Sequence, residues 1–192
     1  MHTGGRTLQA DVAINNQKSE AQRNLVVRTL SARSTKGILE CGPLRMRCAL
    51  GCAGSRLQKR EGDGASPIGT WMLRHAYFRS GRLPRPRTGL SLKMIRRDDG
   101  WCDASQNRNY NRPVSHPYPS SAEHLWREDG LYDLIVVLGY NDAPRVRGRG
   151  SAIFLHCAQP NFEPTQGCIA LARRDLVRLM ARLNAQTKIR IA

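Results

Sequence analysis

Two residue types that together make a sulfur nucleophile lie close in this chain. His156 ends the apolar run GSAIFLH (residues 150–156), and Cys168 sits in PTQGCIAL (residues 164–171). An imidazole beside a thiol can accept its proton and later return it to a leaving amine, which is the chemistry of acyl transfer through a thioester. Gly167, directly before the cysteine, permits a sharp backbone bend with no side chain in the way. The backbone N–H groups of Cys168 and Gly167 are candidate oxyanion donors. A third group to orient His156 is not identifiable from the sequence, and a main-chain carbonyl could fill that role. The competing reading is a hydrogen-bonded strand-end histidine beside an incidental cysteine, and spacing alone does not separate the two.

The elements that must position this pair are mostly strands. LVVRTL after Asn24 has β-branched strand character, Gly37 is read as a turn before ILE, and LRMRCALG (44–51) alternates as a second hairpin arm. KREGDGASPIG (59–69) is a loop by composition, in which Glu61 and Asp63 are read as turn caps. TWMLRHAYF (70–78) reads as a strand, and LYDLIVVLGYN (131–141) as a strand buried on both faces. SAIFLH is the next strand. RRDLVRLMARL places Leu176, Val177, Leu179, Met180 and Leu183 on one helical stripe, and TKIRI (187–191) alternates as a terminal strand. Residues 79–128 are loop-rich yet hold Trp101, Tyr110, Tyr118 and Trp126, so they are expected to be ordered and to wall a cleft over the sheet. In that wall Asn109, Tyr110 and Asn111 are candidate contacts. Arg147 and Arg149, ahead of the histidine strand, could meet a substrate carboxylate or could lie in a solvated turn. The fold class is thus mainly β with one helix near the C-terminus.

With 192 residues, the chain has the size of one ordinary domain. Residues 1–22 are polar and aromatic-free, hence a flexible tail ahead of a single domain at 23–192. That tail holds no apolar run followed by a cleavage site, so no secretory signal is visible. No segment has the roughly 20 apolar residues a membrane span needs. Thirty-one Lys and Arg against 15 Asp and Glu give a net charge of +16. Such an excess suits a polyanionic partner, or simply marks a surface that uses arginine as its polar residue. A nucleic-acid binder would be the first inference from charge, but zinc-finger spacing, an aromatic RNA-binding pattern and a helix-turn-helix are all missing, so no nucleic-acid partner is expected. Cys41, Cys48, Cys52, Cys102 and Cys157 lack paired CxxC spacing and are read as structural, with Cys48 and Cys52 as small buried hydrophobes. No metal or cofactor is expected.

IFLH followed by PTQGCIAL resembles the signature of the L,D-transpeptidase catalytic domain, the YkuD-type cysteine enzymes of bacterial cell walls. EGDGASPIGTWML resembles the family's Pro-x-Gly segment ahead of an early strand, and RNYNRPV, GLYDLIVVLGYND and RGRGSAIFLH are similar to a bacterial subgroup. The likeness runs from about Leu25 to Ile191. It implies a β-sandwich-like mixed sheet, Cys168 as nucleophile and His156 as general base and acid. It also implies a reaction: attack on the L-centre carbonyl of diaminopimelate in a peptidoglycan tetrapeptide stem, loss of the terminal D-Ala, then transfer to an amine (a 3→3 cross-link) or to water. Thr165 and Gln166 flank the nucleophile as candidate stem-peptide contacts. Peptidoglycan stem peptides are the implied partners, carbapenem-type β-lactams the implied inhibitors, and the cell envelope the implied location, with the cytoplasm as the alternative. Three features depart from the family pattern: Gln166 stands where histidine is usual, Ala170 stands where arginine or asparagine is common, and the loop between His156 and Cys168 is shorter. A degenerate wall-binding module is the alternative these departures raise.

Overall fold

The computed structural model describes residues 24–192, so the N-terminal tail lies outside the described residues. The expected hairpin forms from β1 (Leu25–Thr29), β2 (Lys36–Cys41) and β3 (Leu44–Ala49), all antiparallel. Gly37 lies inside β2 and not at a turn, which corrects the sequence reading. It pairs with Thr29, and a Cβ there would come within 2.6 Å of the Arg28 carbonyl oxygen, so close strand approach is what requires a glycine. A two-residue pair, β4 (Ser55–Arg56) and β5 (Ser66–Pro67), brackets the glycine loop.

The long strand β6 (Gly69–Phe78) is the organiser of the sheet. Its first half pairs with β14 (Lys188–Ile191), and its second half pairs with β7 (Ser91–Met94) and β11 (Leu134–Leu138). From β11 the order runs through β12 (Phe154–Cys157), β13 (Ile169–Leu171), β3, β2 and β1 to β14, so the β6–β11 pairing closes the mixed sheet on itself. A second sheet of β8 (Asp99–Cys102), β9 (Arg112–Ser115) and β10 (Ala122–His124) forms within the loop-rich middle segment.

Alternation along β11 divides the core in two. Leu134, Val136 and Leu138 join Leu155, Ile169 and Leu171 on one face, where α1 (Arg173–Met180) packs Leu176, Leu179 and Met180. Val177, expected on the same stripe, is 38% exposed and outside the core, whereas Leu183 is buried with the others. Ile135 and Val137 point to the other face, where Tyr77, Trp101, Leu125, Tyr132, Phe154 and Cys168 gather. The segment 79–128 therefore packs over the sheet through Trp101 and Leu125, and the site lies beneath it. Cys41, Cys48, Cys102 and Cys157 are buried, but Cys52 is exposed, because it sits on the loop after β3 and not in the strand.

Candidate active site

β12 and β13 are parallel neighbours with His156 opposite Ala170. Successive side chains alternate between faces, so Cys168, two residues before Ala170, projects to the same face as His156. That register brings the imidazole and the thiol together beside one cavity of about 550 Å³, which both residues line. Of the expected SAIFLH strand only the last three residues join the ladder, which runs as Phe154–Cys157. Ala152 is left-handed (φ 52°), which breaks the strand and turns its carbonyl toward the sulfur. The Cys168 thiol donates to Ala152 O at 3.1 Å, and the Phe154 N–H donates to Sγ at 3.4 Å.

The His156 ring nitrogen Nδ1 lies 2.9 Å from the Cys157 carbonyl oxygen. A carbonyl can only accept, so Nδ1 carries the proton and the lone pair of the neutral ring is on Nε2. The Tyr132 ring meets the imidazole edge-on, with centroids 5.3 Å apart. Burial lowers the His156 pKa to about 4, against the opposing effect of its bond to the Cys157 carbonyl. Burial, reinforced by the Glu123 charge, pushes the Cys168 thiol up to about 12, with the Phe154 N–H and Lys59 acting in the opposite direction. Both shifts, driven first by burial, favour the uncharged thiol and the uncharged imidazole.

Gly167 has φ 125°, and a Cβ would sit 2.7 Å from the Ala65 carbonyl oxygen, so the turn into the cysteine needs a glycine. Its N–H donates to Thr165 Oγ1 at 3.1 Å, and that hydroxyl donates to Cys168 O at 2.7 Å. Thr165 and Gln166 line the cavity, and Ala170 does too. Arg147, Arg149, Tyr110 and Asn111 do not. Arg147 and Arg149 are exposed on the turn before β12, where Arg147 reaches only Gln106. Tyr110 is buried and donates to Glu61 Oε2 at 2.6 Å while accepting the Gly150 N–H. Asn111 is buried, with Oδ1 accepting from Trp101 Nε1 and the Ala152 N–H, and Nδ2 donating to the carbonyls of Tyr140 and Asn141. Asn109 bonds Tyr118 within its own segment. These residues hold the backbone beside the sulfur and stand back from the cavity itself.

Asp63 does cap its turn, accepting from the N–H groups of Arg60 and Ala65 and pairing with Lys59. Glu61 instead faces the cavity. Sequence reasoning missed Asp103, Glu123, Arg127, Tyr132 and Ser151, which complete the cavity walls. Tyr132 and Ser151 stood inside the runs LYDLIVVLGYN and GSAIFLH without being singled out, and Asp103, Glu123 and Arg127 stand in none of the site motifs.

The L,D-transpeptidase catalytic domain profile (YkuD) matches residues 33–191. The chain belongs to that family. No curated protein matches the chain. Among solved structures, L,D-transpeptidase 1 of Mycobacterium tuberculosis is similar at 11% identity and a TM-score of 0.39, covering 90% of this chain and 60% of that one. The closed mixed sheet with a single α-helix among the described residues agrees with the mainly β fold expected for this family. The family is one of peptidoglycan enzymes, generally associated with the cell envelope. Among the described residues, no helix is long and apolar enough to cross a membrane.

Proposed function

We propose that this L,D-transpeptidase family member uses Cys168 as nucleophile and His156 as proton shuttle on peptidoglycan tetrapeptide stems. The observation that carries the reading is the shared face of β12 and β13, which sets a thiol and an Nδ1-protonated imidazole on one cavity. As Sγ attacks the carbonyl at the L-centre of the third residue, its proton passes to His156 Nε2 and the carbonyl oxygen becomes an oxyanion. The N–H of Cys168 faces that charge, joined by the Gly167 N–H once it leaves Thr165 Oγ1. Collapse breaks the C–N bond, and His156 returns the proton to the departing D-Ala amine. The thioester then meets an amine or water, whose proton passes to Nε2 and on to Sγ as the C–S bond breaks, which restores the thiol and the neutral imidazole. Because burial favours the neutral form of both groups, His156 acts as a general base during attack. Thr165 and Gln166 contact the stem from the cavity rim, while Tyr110 and Asn111 act through the backbone they hold.

Intact-protein mass spectrometry with a carbapenem tests the nucleophile. A covalent adduct is expected on the wild type and absent from Cys168→Ala; an adduct that persists in Cys168→Ala overturns the assignment. Incubation with tetrapeptide muropeptides tests the reaction, with cross-linked dimers expected beside some tripeptide. Binding without any turnover by the folded wild type would favour the degenerate wall-binding module.

A further inference from the structure

The charge excess is not spread evenly along the chain. Residues 24–60 carry eight Lys and Arg against a single acid, Glu40. Glu40 pairs with Arg28 and Arg45. Arg33, Lys36, Arg47 and Arg56 are exposed and make no ion pair among the described residues. Arg28, Lys36, Arg45 and Arg47 line one groove of about 470 Å³ on the solvent side of β1, β2 and β3. Cations gathered on one face with so little countercharge attract an extended anionic partner.

An independent observation narrows what that partner is. The same segment holds the two most exposed large apolar side chains among the described residues, Leu30 at 101% and Leu57 at 75%. Leu30 lines the basic groove, and Leu57 follows β4 directly beside Arg56. The loops that carry the two leucines are joined. The Ser55 N–H donates to Ala32 O at 2.7 Å, and a Cβ on Gly54 would fall 2.0 Å from the same oxygen. Each leucine is two residues from that junction, roughly 7 Å of chain. One exposed leucine is ordinary on a protein surface. Two on joined loops, set among unpaired cations, are a surface with both an apolar and an anionic demand. A soluble polyanion would meet the cations and leave both leucines in water. An anionic bilayer meets both, with phosphates at headgroup level and acyl chains just beneath.

We propose that the joined loops carrying Leu30 and Leu57, with Arg33, Lys36 and Arg56, dock the domain on an anionic lipid surface. The loop carrying Leu57 starts next to the cavity, where the Cys52 N–H donates to Thr165 O at 2.7 Å and Thr165 lines the cavity wall. Docking therefore fixes how the cavity sits over the lipid. The proposal does not depend on the chemistry at Cys168.

The test is co-sedimentation of the full chain with vesicles, either of phosphatidylcholine alone or of phosphatidylcholine and phosphatidylglycerol in about equal parts. The wild type is expected to bind the anionic vesicles at least about ten-fold more tightly than the neutral ones. Leu30→Ser combined with Leu57→Ser is expected to weaken that binding about ten-fold, as for partial transfer of two leucines out of water. Arg33→Glu combined with Lys36→Glu is expected to weaken it by about ten-fold or more. Soluble polyphosphate, titrated into the same proteins, should be bound equally by the wild type and the leucine pair. All four positions are exposed, and the two pairs are independent, so a fold defect in one leaves the other to decide. No binding to anionic vesicles, or equal binding to both kinds of vesicle, overturns the proposal. So does wild-type vesicle binding by either pair at an unchanged melting temperature. Vesicle binding kept by the leucine pair but lost by the charge pair would assign the basic face to soluble polyanions instead.

Discussion

Asn111→Ala is expected to destabilise the protein by about 4–6 kcal/mol and to slow acylation of Cys168 in whatever remains folded. The Asn111 side chain makes four hydrogen bonds to buried or half-buried partners: it accepts from Trp101 Nε1 at 2.9 Å and Ala152 N at 3.2 Å, and it donates to Tyr140 O at 2.9 Å and Asn141 O at 2.8 Å. Truncation leaves two N–H groups unsatisfied at about 1–2 kcal/mol each, and two carbonyls, which keep a second lone pair, at roughly half that. Asn111 also has φ 54°, a left-handed conformation that asparagine tolerates and that costs alanine about 1 kcal/mol more. The total approaches the whole stability of an ordinary domain, about 5–15 kcal/mol. Asn111→Gly keeps the hydrogen-bond loss but removes the backbone part, so it should be milder than alanine by about 1 kcal/mol. Asn111→Asp keeps the acceptor but points a carboxylate oxygen at two carbonyls, so it should be at least as damaging as alanine despite its identical shape. Urea unfolding followed by tryptophan fluorescence measures the series, and carbapenem adduct formation over time measures the acylation. An Asn111→Ala protein within about 1 kcal/mol of wild type, a scale set by a single net hydrogen bond, would refute the reasoning.

Burial of His156 links stability to pH. Its pKa falls from 6.5 to about 4 on folding, so the unfolded chain takes the proton first as pH drops. The associated stability is complete above the unfolded value and is lost between the two, about 3 kcal/mol in all. The difference in unfolding free energy between pH 7.5 and 4.5 should therefore shrink in His156→Gln, and an unchanged difference would contradict the burial argument. Glu123→Gln removes a negative charge that raises the Cys168 thiol, so the pH at which iodoacetamide alkylation of Cys168 becomes fast should move down; no movement, or movement upward, would show that the charge is not felt. Gly37→Ala forces a Cβ to within 2.6 Å of the Arg28 carbonyl and should cost about 1–3 kcal/mol, visible as a lower melting temperature, whereas an unaltered melting temperature would mean that the β1–β2 ladder can spread.

The strands with clean alternation or a continuous apolar run were legible from the residues alone. Lys188–Ile191 alternates exposed and buried, and Leu134–Leu138 is buried throughout. The helix was legible from its stripe, though Val177 falls at the stripe's margin and is half exposed. The strands of the middle segment were not, because Ser91–Met94, Asp99–Cys102, Arg112–Ser115 and Ala122–His124 are too short to show a period. Its aromatics did announce order, and Trp101 packs against Phe154 edge-on at 5.2 Å. At the site, His156 and Cys168 were singled out by their types and the neighbouring glycine, and both line one cavity. Its acidic lining was not legible: Glu61, Asp103, Glu123 and Glu163 come from separate segments joined only by tertiary packing. Arg147 and Arg149 show the converse, since their charge invited a substrate contact while their direction is fixed by an exposed turn.

The parallel register of β12 and β13 separates two kinds of heritable change. The spacing of His156 and Cys168 is set by main-chain hydrogen bonds between adjacent strands, which are indifferent to most side-chain substitutions. Part of the cavity lining comes from elsewhere, with Glu61 and Gly62 in the glycine loop and Asp103 and Glu123 in the segment covering the sheet. On the proposed function, drift in those coverings can redirect which peptide is accepted while Cys168 and His156 stay in place. For anyone wishing to reshape the cavity, the covering segment is the part to vary and the strand pair the part to leave alone.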